Sequence, residues 1–294
     1  MASPDLRGRT AVVTGASRGA GRGIALALGS AGATVYVAAR STRGGPPPAD
    51  GAPGTVDDTA DEVTARGGRG IAVRCDATDA IQVQALFDRV AAGSGGPDLL
   101  VNAVWGGNER YDVSGDVHRL AGVPFDAPFW EHDTARWNEM MMAGVWASLL
   151  ASRAAAPLMV ARRRGLIVHV TDGISPRYRG NLYWDLSHEA INRMAFAMAE
   201  ELRPHGVACV AVTPGFMRTE RVLRHLGTDA QRWREVELLR DSETPEYVGR
   251  GIATLAADAG VLDRTGRSFA SGDLAAEYGF VDVDGRAVPR HPGV

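Results

Sequence analysis

Residues 10–21 read TAVVTGASRGAG. The run Thr10 to Val13 is short, apolar and β-branched. It enters a turn containing Gly15, Gly19 and Gly21, and the apolar run Ile24, Ala25, Leu26, Ala27, Leu28 follows at once. A strand, a glycine-rich turn and a helix in that order aim backbone N–H groups at one point in front of the helix. The glycines let a pyrophosphate approach that backbone closely. A lone glycine motif is weak evidence. Placed between a strand and a helix, it reads as a dinucleotide site rather than as a merely structural turn.

The rest of the chain repeats the alternation. Strands are expected at Thr10 to Thr14, Thr34 to Ala39, Gly70 to Cys75, Leu99 to Ala103, Leu166 to Thr171, Val207 to Thr213 and Arg267 to Ala270. Helices are expected between them, at Gly21 to Ala31, Thr55 to Arg66, Ala80 to Ala91, Thr134 to Arg162, Tyr183 to Arg203 and Pro245 to Ala257. Parallel neighbours need crossovers, and these helices supply them. The expected fold is α/β: a Rossmann-type, doubly wound parallel sheet in a three-layer α/β/α sandwich, with residues 1–294 forming a single domain.

Three segments interrupt the pattern. The Gly/Pro-rich loop Ser41 to Gly54 follows the second strand. Trp105 to Asp133, which bears Trp105, Tyr111, Phe125, Phe129 and Trp130, follows the fourth, and Phe216 to Thr244 follows the sixth. The last two leave the carboxyl ends of strands, where open α/β sheets bind ligands, so they are expected to form a substrate lid (about 105–133 and 216–244). The tail, residues 271–294, is expected to pack back near the site.

Bulk properties exclude several classes. Net charge is -3, with 32 basic residues set against 35 acids, so no nucleic-acid footprint stands out. Cys75 and Cys209 are too few for a disulfide framework, which points to a reducing, cytoplasmic setting. The apolar stretch Met140 to Val160 contains Ser148, Ser152, Arg153 and Pro157 and reads as a buried helix, not a membrane span. His118, His132 and His169 lack ligand spacing, so no metal site is expected. All 32 basic residues are arginine. Codon bias accounts for the surface arginines but supplies no ammonium where chemistry needs one.

Cofactor choice is read at the end of the second strand. An acid there would bind the adenosine ribose hydroxyls. Here Ala39 is followed by Arg40, with Arg18 in the glycine turn and Arg43 nearby. Guanidinium groups without an acid favour a 2′-phosphate, hence NADP(H), although Arg40 could also be simply solvated. Asp76 is placed to meet the adenine amine, and Asn102 to lie near the cofactor ribose.

TGASRGAG, CDATD (75–79), LLVNA (99–103), PGFMRT (214–219) and EELRPHG (200–206) together resemble the short-chain dehydrogenase/reductase superfamily. The insertion at 41–48, the WGG after Ala103–Val104 and VDVDGR (281–286) resemble a branch that includes the mammalian member-1 type and bacterial relatives. The resemblance implies a small-molecule substrate, NAD(P)H-dependent carbonyl reduction or its reverse, and a homodimer or homotetramer. It also implies that Gly15, Ser17, Arg18, Gly19, Gly21, Pro214, Gly215 and Thr219 contact the cofactor, with Thr219 at the nicotinamide amide.

The superfamily's acid–base pair is a Tyr followed four residues later by a Lys, with a Ser and often an Asn. Counting back from Glu201 puts the Lys position at His188 and the Tyr position at Trp184. The Asn position falls on Gly144 and the Ser position on Thr171 or Asp172. An indole N–H donates hydrogen bonds but no proton near neutral pH. His188 is expected to hydrogen-bond the nicotinamide ribose, with proton transfer as a lesser role. The alternative register, Tyr183 with Ser187, also lacks the lysine. Tyr183 or Tyr178 could offer a catalytic phenol, slow as an acid at a pKa of ~10 without a neighbouring cation. Tyr183, about 100° round the helix from Trp184, is nevertheless expected to pack away from the nicotinamide. Asp172 beside an indole face would repel a developing alkoxide and attract a cation. Three functions remain open. The first is a reductase of an unusual substrate (an imine, iminium or enone). The second is a redox-neutral cyclase, isomerase or dehydratase. The third is a non-catalytic NADP(H)-binding protein.

Overall fold

The computed structural model describes residues 4–46, 48, 51–106, 119–120, 123–174 and 177–289. Runs of apolar and small residues produce strands buried on both faces in the middle of the sheet, with the edge strand Arg69–Arg74 only partly buried. They are β1 (Thr10–Thr14), β2 (Thr34–Ala39), β3 (Arg69–Arg74), β4 (Leu99–Asn102), β5 (Gly165–Val170), β6 (Val207–Thr213) and β7 (Ser268–Ala270). They form one sheet in the order β3-β2-β1-β4-β5-β6-β7, and each neighbouring pair is parallel. The strand order reverses between β1 and β4, where Val13 faces Val37 on one side and Val101 on the other. That reversal opens a crevice at the carboxyl ends of the two strands, the usual place for a ligand in such sheets.

Helices cover both faces: α1 (Gly19–Ser30), α2 (Val56–Ala65), α3 (Ala80–Ser94), α4 (Thr134–Met140), α5 (Ala147–Ala161), α6 (Leu182–Leu202), α7 (Glu220–His225), α8 (Pro245–Ala257) and α9 (Ser271–Tyr278). Alternate residues of one strand feed two separate cores. Ala11 and Val13 join Ile24, Leu28, Val63, Val248 and Ile252 on one side, and Val12 joins Phe87, Leu150, Met159 and Ile167 on the other. Local signals set the helix ends. Thr55 caps α2 by accepting from Asp58 N, Asp79 caps α3, and Asn181 caps α6 by accepting from Trp184 N.

The long helix expected over Thr134 to Arg162 is interrupted. Between α4 and α5 the turns widen into a π segment, Met141–Trp146. Gly144 lies in it, and a Cβ there would stand 2.7 Å from the Trp105 ring. The wider turn and the glycine together make room for that indole. Thr134–Ala161 is long and apolar enough to cross a membrane by length and composition alone. It is also a core helix, because Ala151, Ala155 and Met159 are fully buried beside the sheet.

The tail returns to the sheet's carboxyl edge. Asp282 and Asp284 pair with buried Arg218, 3.3 and 2.7 Å away. Arg286 donates to Ser242 O, and the Trp233 ring lies against Arg218, Arg234 and Arg286. The base of the second lid segment is thereby fastened to residues 281–286.

Candidate functional site

The glycine turn has the shape its sequence implies. Gly15 has φ +70° and would carry a Cβ 2.6 Å from Ala103 O; a Cβ on Gly21 would lie 2.3 Å from Gly15 O. Neither position admits a side chain, since the turn packs directly on β4 and on itself. Gly19, φ +54°, faces open space instead; the nearest atom to its Cβ position is Thr219 Cγ2 at 4.0 Å. The gap between Gly19 and Thr219 is thus bordered by the glycine turn and by the segment that follows β6. Ser17 is buried beneath the turn. Pro214 is buried, and Gly215 N donates to Glu243 Oε2 at 3.0 Å.

At the end of β2, Arg18 Nη2 donates to Ser41 Oγ at 2.7 Å, and Arg40 is exposed beside it. Arg43 is committed elsewhere: it pairs with Asp58 and Asp61, and its amide donates to Asp57. Asp76 closes a local turn by accepting from Thr78 N and Thr78 Oγ1 at 3.0 and 2.7 Å. Asn102 donates to Ser152 Oγ at 3.0 Å and approaches His169 Nδ1 at 3.4 Å. Its buried Oδ1 has no hydrogen-bond partner among the described residues, and neither does His188 Nε2. A buried polar atom left unpaired is costly, so both atoms fit a ligand that supplies hydroxyl groups. The glycine cradle, the basic end of β2 and these two atoms together suit a dinucleotide.

Thr171, Asp172, Trp184 and His188 come together where β5 ends against α6. Asp172 Oδ2 accepts from Trp184 Nε1 at 2.5 Å. Thr171 Oγ1 donates to His188 O at 3.3 Å and lies 3.5 Å from His188 Nδ1. Trp105 completes the cluster. Its ring stacks on His188, with centroids 4.4 Å and planes 27° apart, and it meets Trp184 edge-on at 5.0 Å. Phe125 also meets Trp184 edge-on, at 5.6 Å. Burial under these rings pushes His188 down to about 3, with a smaller push from the Arg179 charge, so the imidazole is neutral at any physiological pH. Tyr183 packs against His132 and Trp137 at 5.9 and 5.7 Å, and Tyr178 is exposed. Tyr111 and His118 lie outside the described residues, as does much of the first lid segment.

Two participants are hard to read from sequence. Arg179 lies over Gly173, 2.6 Å from where its Cβ would be, and is spent on Asp185 and Glu189, both at 2.9 Å. The hydrogen-bond partner of Asp172, by contrast, is a neutral indole and not a cation. Trp105 was visible as an aromatic beside the fourth strand. Its stacking on His188 was not, because only the π segment and Gly144 bring it there.

Glu243 sits behind the site. It is 1% exposed and accepts from Gly215 N and from Ser271 Oγ at 2.7 Å. Burial is the largest influence and pushes its carboxyl up to about 7, against the lowering by those donors. A carboxyl raised in the folded state binds its proton more tightly there. Its contribution to stability is therefore full below the unfolded value of 4.5 and is lost as pH rises to about 7. Glu243→Gln is expected to remove that loss, which is on the order of 3 kcal/mol. The variant's melting temperature should rise relative to the parent's as pH is raised from about 5 to 7.5. A pH-independent difference between the two would contradict this. Buried His169, pushed down to about 4, and His188 act in the opposite sense below 6.5 in both proteins, and so cancel in the comparison.

Comparison with known proteins places the chain. The family model described as short chain dehydrogenase matches residues 9–226. The curated protein "Dehydrogenase/reductase SDR family member 1" of Homo sapiens is 34% identical over 301 residues, covering 98% of this chain and 87% of the relative. The Mus musculus protein of that name is also 34% identical, with the same coverage. Among solved structures, a short-chain type dehydrogenase/reductase from Mycobacterium marinum superposes with TM-score 0.67 at 27% identity, covering 90% of this chain and 94% of that one. A metagenomic short-chain oxidoreductase in complex with NADP superposes with TM-score 0.63 at 27% identity, covering 90% and 96%. The family match, the near-complete coverage by relatives and the seven-stranded sheet with its dinucleotide cradle agree: the chain belongs to the short-chain dehydrogenase/reductase family, an oxidoreductase family that uses an NAD(P)-type cofactor.

Proposed function

We propose that this protein uses NADPH to reduce an acceptor other than a simple ketone, on a bulky and partly apolar molecule of the secondary-metabolite kind: an iminium ion or protonated imine, which needs no phenolic acid, or else an enone, whose enolate takes its proton from solvent. The observation that carries it is the 2.5 Å hydrogen bond from Trp184 Nε1 to Asp172 Oδ2, at the positions where the family's acid–base residues are expected.

NADP(H) rather than NAD(H) is supported by Arg18 and Arg40 at the end of β2 and by the absence of an acid at Ala39. The NADP bound in the metagenomic relative is consistent with that choice. His188 Nε2 and Asn102 Oδ1 are the atoms we assign to the nicotinamide ribose, Asp76 to the adenine, and Thr219 to the nicotinamide amide. When bound, the cofactor supplies a hydride equivalent.

The side chains do the rest. Trp105, Phe125 and Trp184 form the aromatic cluster that would shield the acceptor from water. Asp172 would face the acceptor as a carboxylate, oriented by the Trp184 N–H. A ketone that gains hydride becomes an alkoxide, which that carboxylate repels and which requires a proton. An iminium carbon that gains hydride leaves its electron pair on nitrogen as a neutral amine, and no acid is required. His188 is neutral and transfers no proton in this scheme, and Thr171 fixes its position. We also propose a cytoplasmic homodimer or homotetramer, which would cover exposed Trp146, Leu149 and Phe196.

The test is NADPH consumption with an N-alkyl cyclic iminium, a cyclic imine, an enone and the matching ketone. Turnover of the iminium with the ketone at least ~100-fold slower is the expected result. Comparable turnover of the ketone would overturn the proposal, as would NADPH binding with no acceptor consumed.

A further inference from the structure

The N-terminus of α1 is already occupied by a carboxylate of the chain itself. Gly19 N donates to Glu220 Oε2 at 3.1 Å, across 201 positions of sequence. Glu220 Oε1 lies 3.6 Å from Arg22 Nη1, and Arg22 is held on its other side by Glu62. α1 has no side-chain cap on Arg18 and no acidic residue in its first turn. An anion at its positive end therefore has to come from elsewhere, and Glu220 is placed to provide it. The residue follows Thr219, whose hydroxyl caps α7 by accepting from Val222 N. Its side chain is 37% exposed, so it is not locked into the core.

We propose that Glu220 is a built-in competitor for the cofactor's pyrophosphate. Resting on the dinucleotide reading above, the inference adds a residue that sets cofactor affinity. A pyrophosphate entering the cradle finds one of its backbone donors taken and a like charge beside it. Glu220 must turn away before Gly19 N–H can serve the phosphate, and Arg22 remains available to keep the displaced carboxylate. The carboxylate thus holds the turn in its binding shape when cofactor is absent and weakens binding when cofactor arrives.

The experiment is a titration of the full chain with NADPH and with NADP+, followed by calorimetry. It compares the parent with Glu220→Gln and Glu220→Ala. Both variants are expected to bind each dinucleotide about tenfold more tightly, because the like charge is gone. Both should also show a larger rise in melting temperature on saturation. The Gln variant keeps an acceptor for Gly19 N–H and the Ala variant keeps none, so agreement between them isolates the charge. Unchanged or weaker binding in both, with the parent binding normally, overturns the role of Glu220 and leaves the cofactor assignment standing. Absence of binding by all three overturns the cofactor assignment, and this inference with it.

Discussion

Trp184→Tyr/His188→Lys/Trp105→Ala is expected to reduce simple ketones with NADPH about 10²–10⁴-fold faster than the parent, the usual size of a general-acid contribution. The first two substitutions restore a phenol and an ammonium on one face of α6, four residues apart. The third is needed for a physical reason. His188 is buried under the Trp105 ring, and an ammonium in that place would be desolvated and lose its proton. A neutral Lys would not lower the phenol's pKa. The Trp184→Tyr/His188→Lys variant with Trp105 intact should therefore gain much less than the triple variant. A triple variant that folds and binds NADPH but gains no ketone reduction would show that more than the acid–base pair separates this site from its relatives.

Asp172→Asn is expected to lower kcat/KM for a permanently charged cyclic iminium about 100-fold and to leave an uncharged enone unchanged or somewhat faster, since the enolate formed from it is an anion. The carboxamide oxygen can still accept from Trp184 Nε1, so the geometry is kept and the charge is lost. Two charges about 4 Å apart in a partly screened site interact by about 4 kcal/mol, and 100-fold corresponds to about 2.7 kcal/mol, within that reach. Asp185 and Glu189 do not stand in for the lost charge, because both pair with Arg179. Equal losses with both substrates would mean that Asp172 holds the pocket's shape instead of its potential. The comparison is made by steady-state kinetics with the two acceptors at one pH.

Much of the fold was legible because its signals are local and repeated. β1, β2, β6 and α8 span the residues expected from the apolar runs, and the helix expected from Thr55 starts there with Thr55 as its cap. The break between α4 and α5 was not legible. It answers a tertiary demand, the placing of Trp105 against Gly144, which leaves no periodic trace in sequence. The candidate site divides in the same way. Counting along α6 brought Trp184, His188 and Asp172 together, because helical spacing and motif spacing are one-dimensional. The stacking of Trp105 on His188 and the approach of Glu220 to Gly19 join residues far apart in the chain, and only folding brings them into contact. Arg43 is the reverse case. It is close in sequence to the 2′-phosphate end of the site, yet three aspartates at the start of α2 and within it hold it away.

The account turns on an indole standing where a proton-donating phenol would be. A crystal structure of the full chain with NADP+ tests that most directly, by measuring which side-chain atom lies nearest nicotinamide carbon 4. The expected result is the Trp184 indole, still bonded to Asp172, beside the reactive face, with His188 Nε2 on the ribose. A hydroxyl of Tyr183, Tyr178 or Tyr111 within hydrogen-bond reach of a carbonyl placed over that carbon would contradict it and make the protein an ordinary ketone reductase.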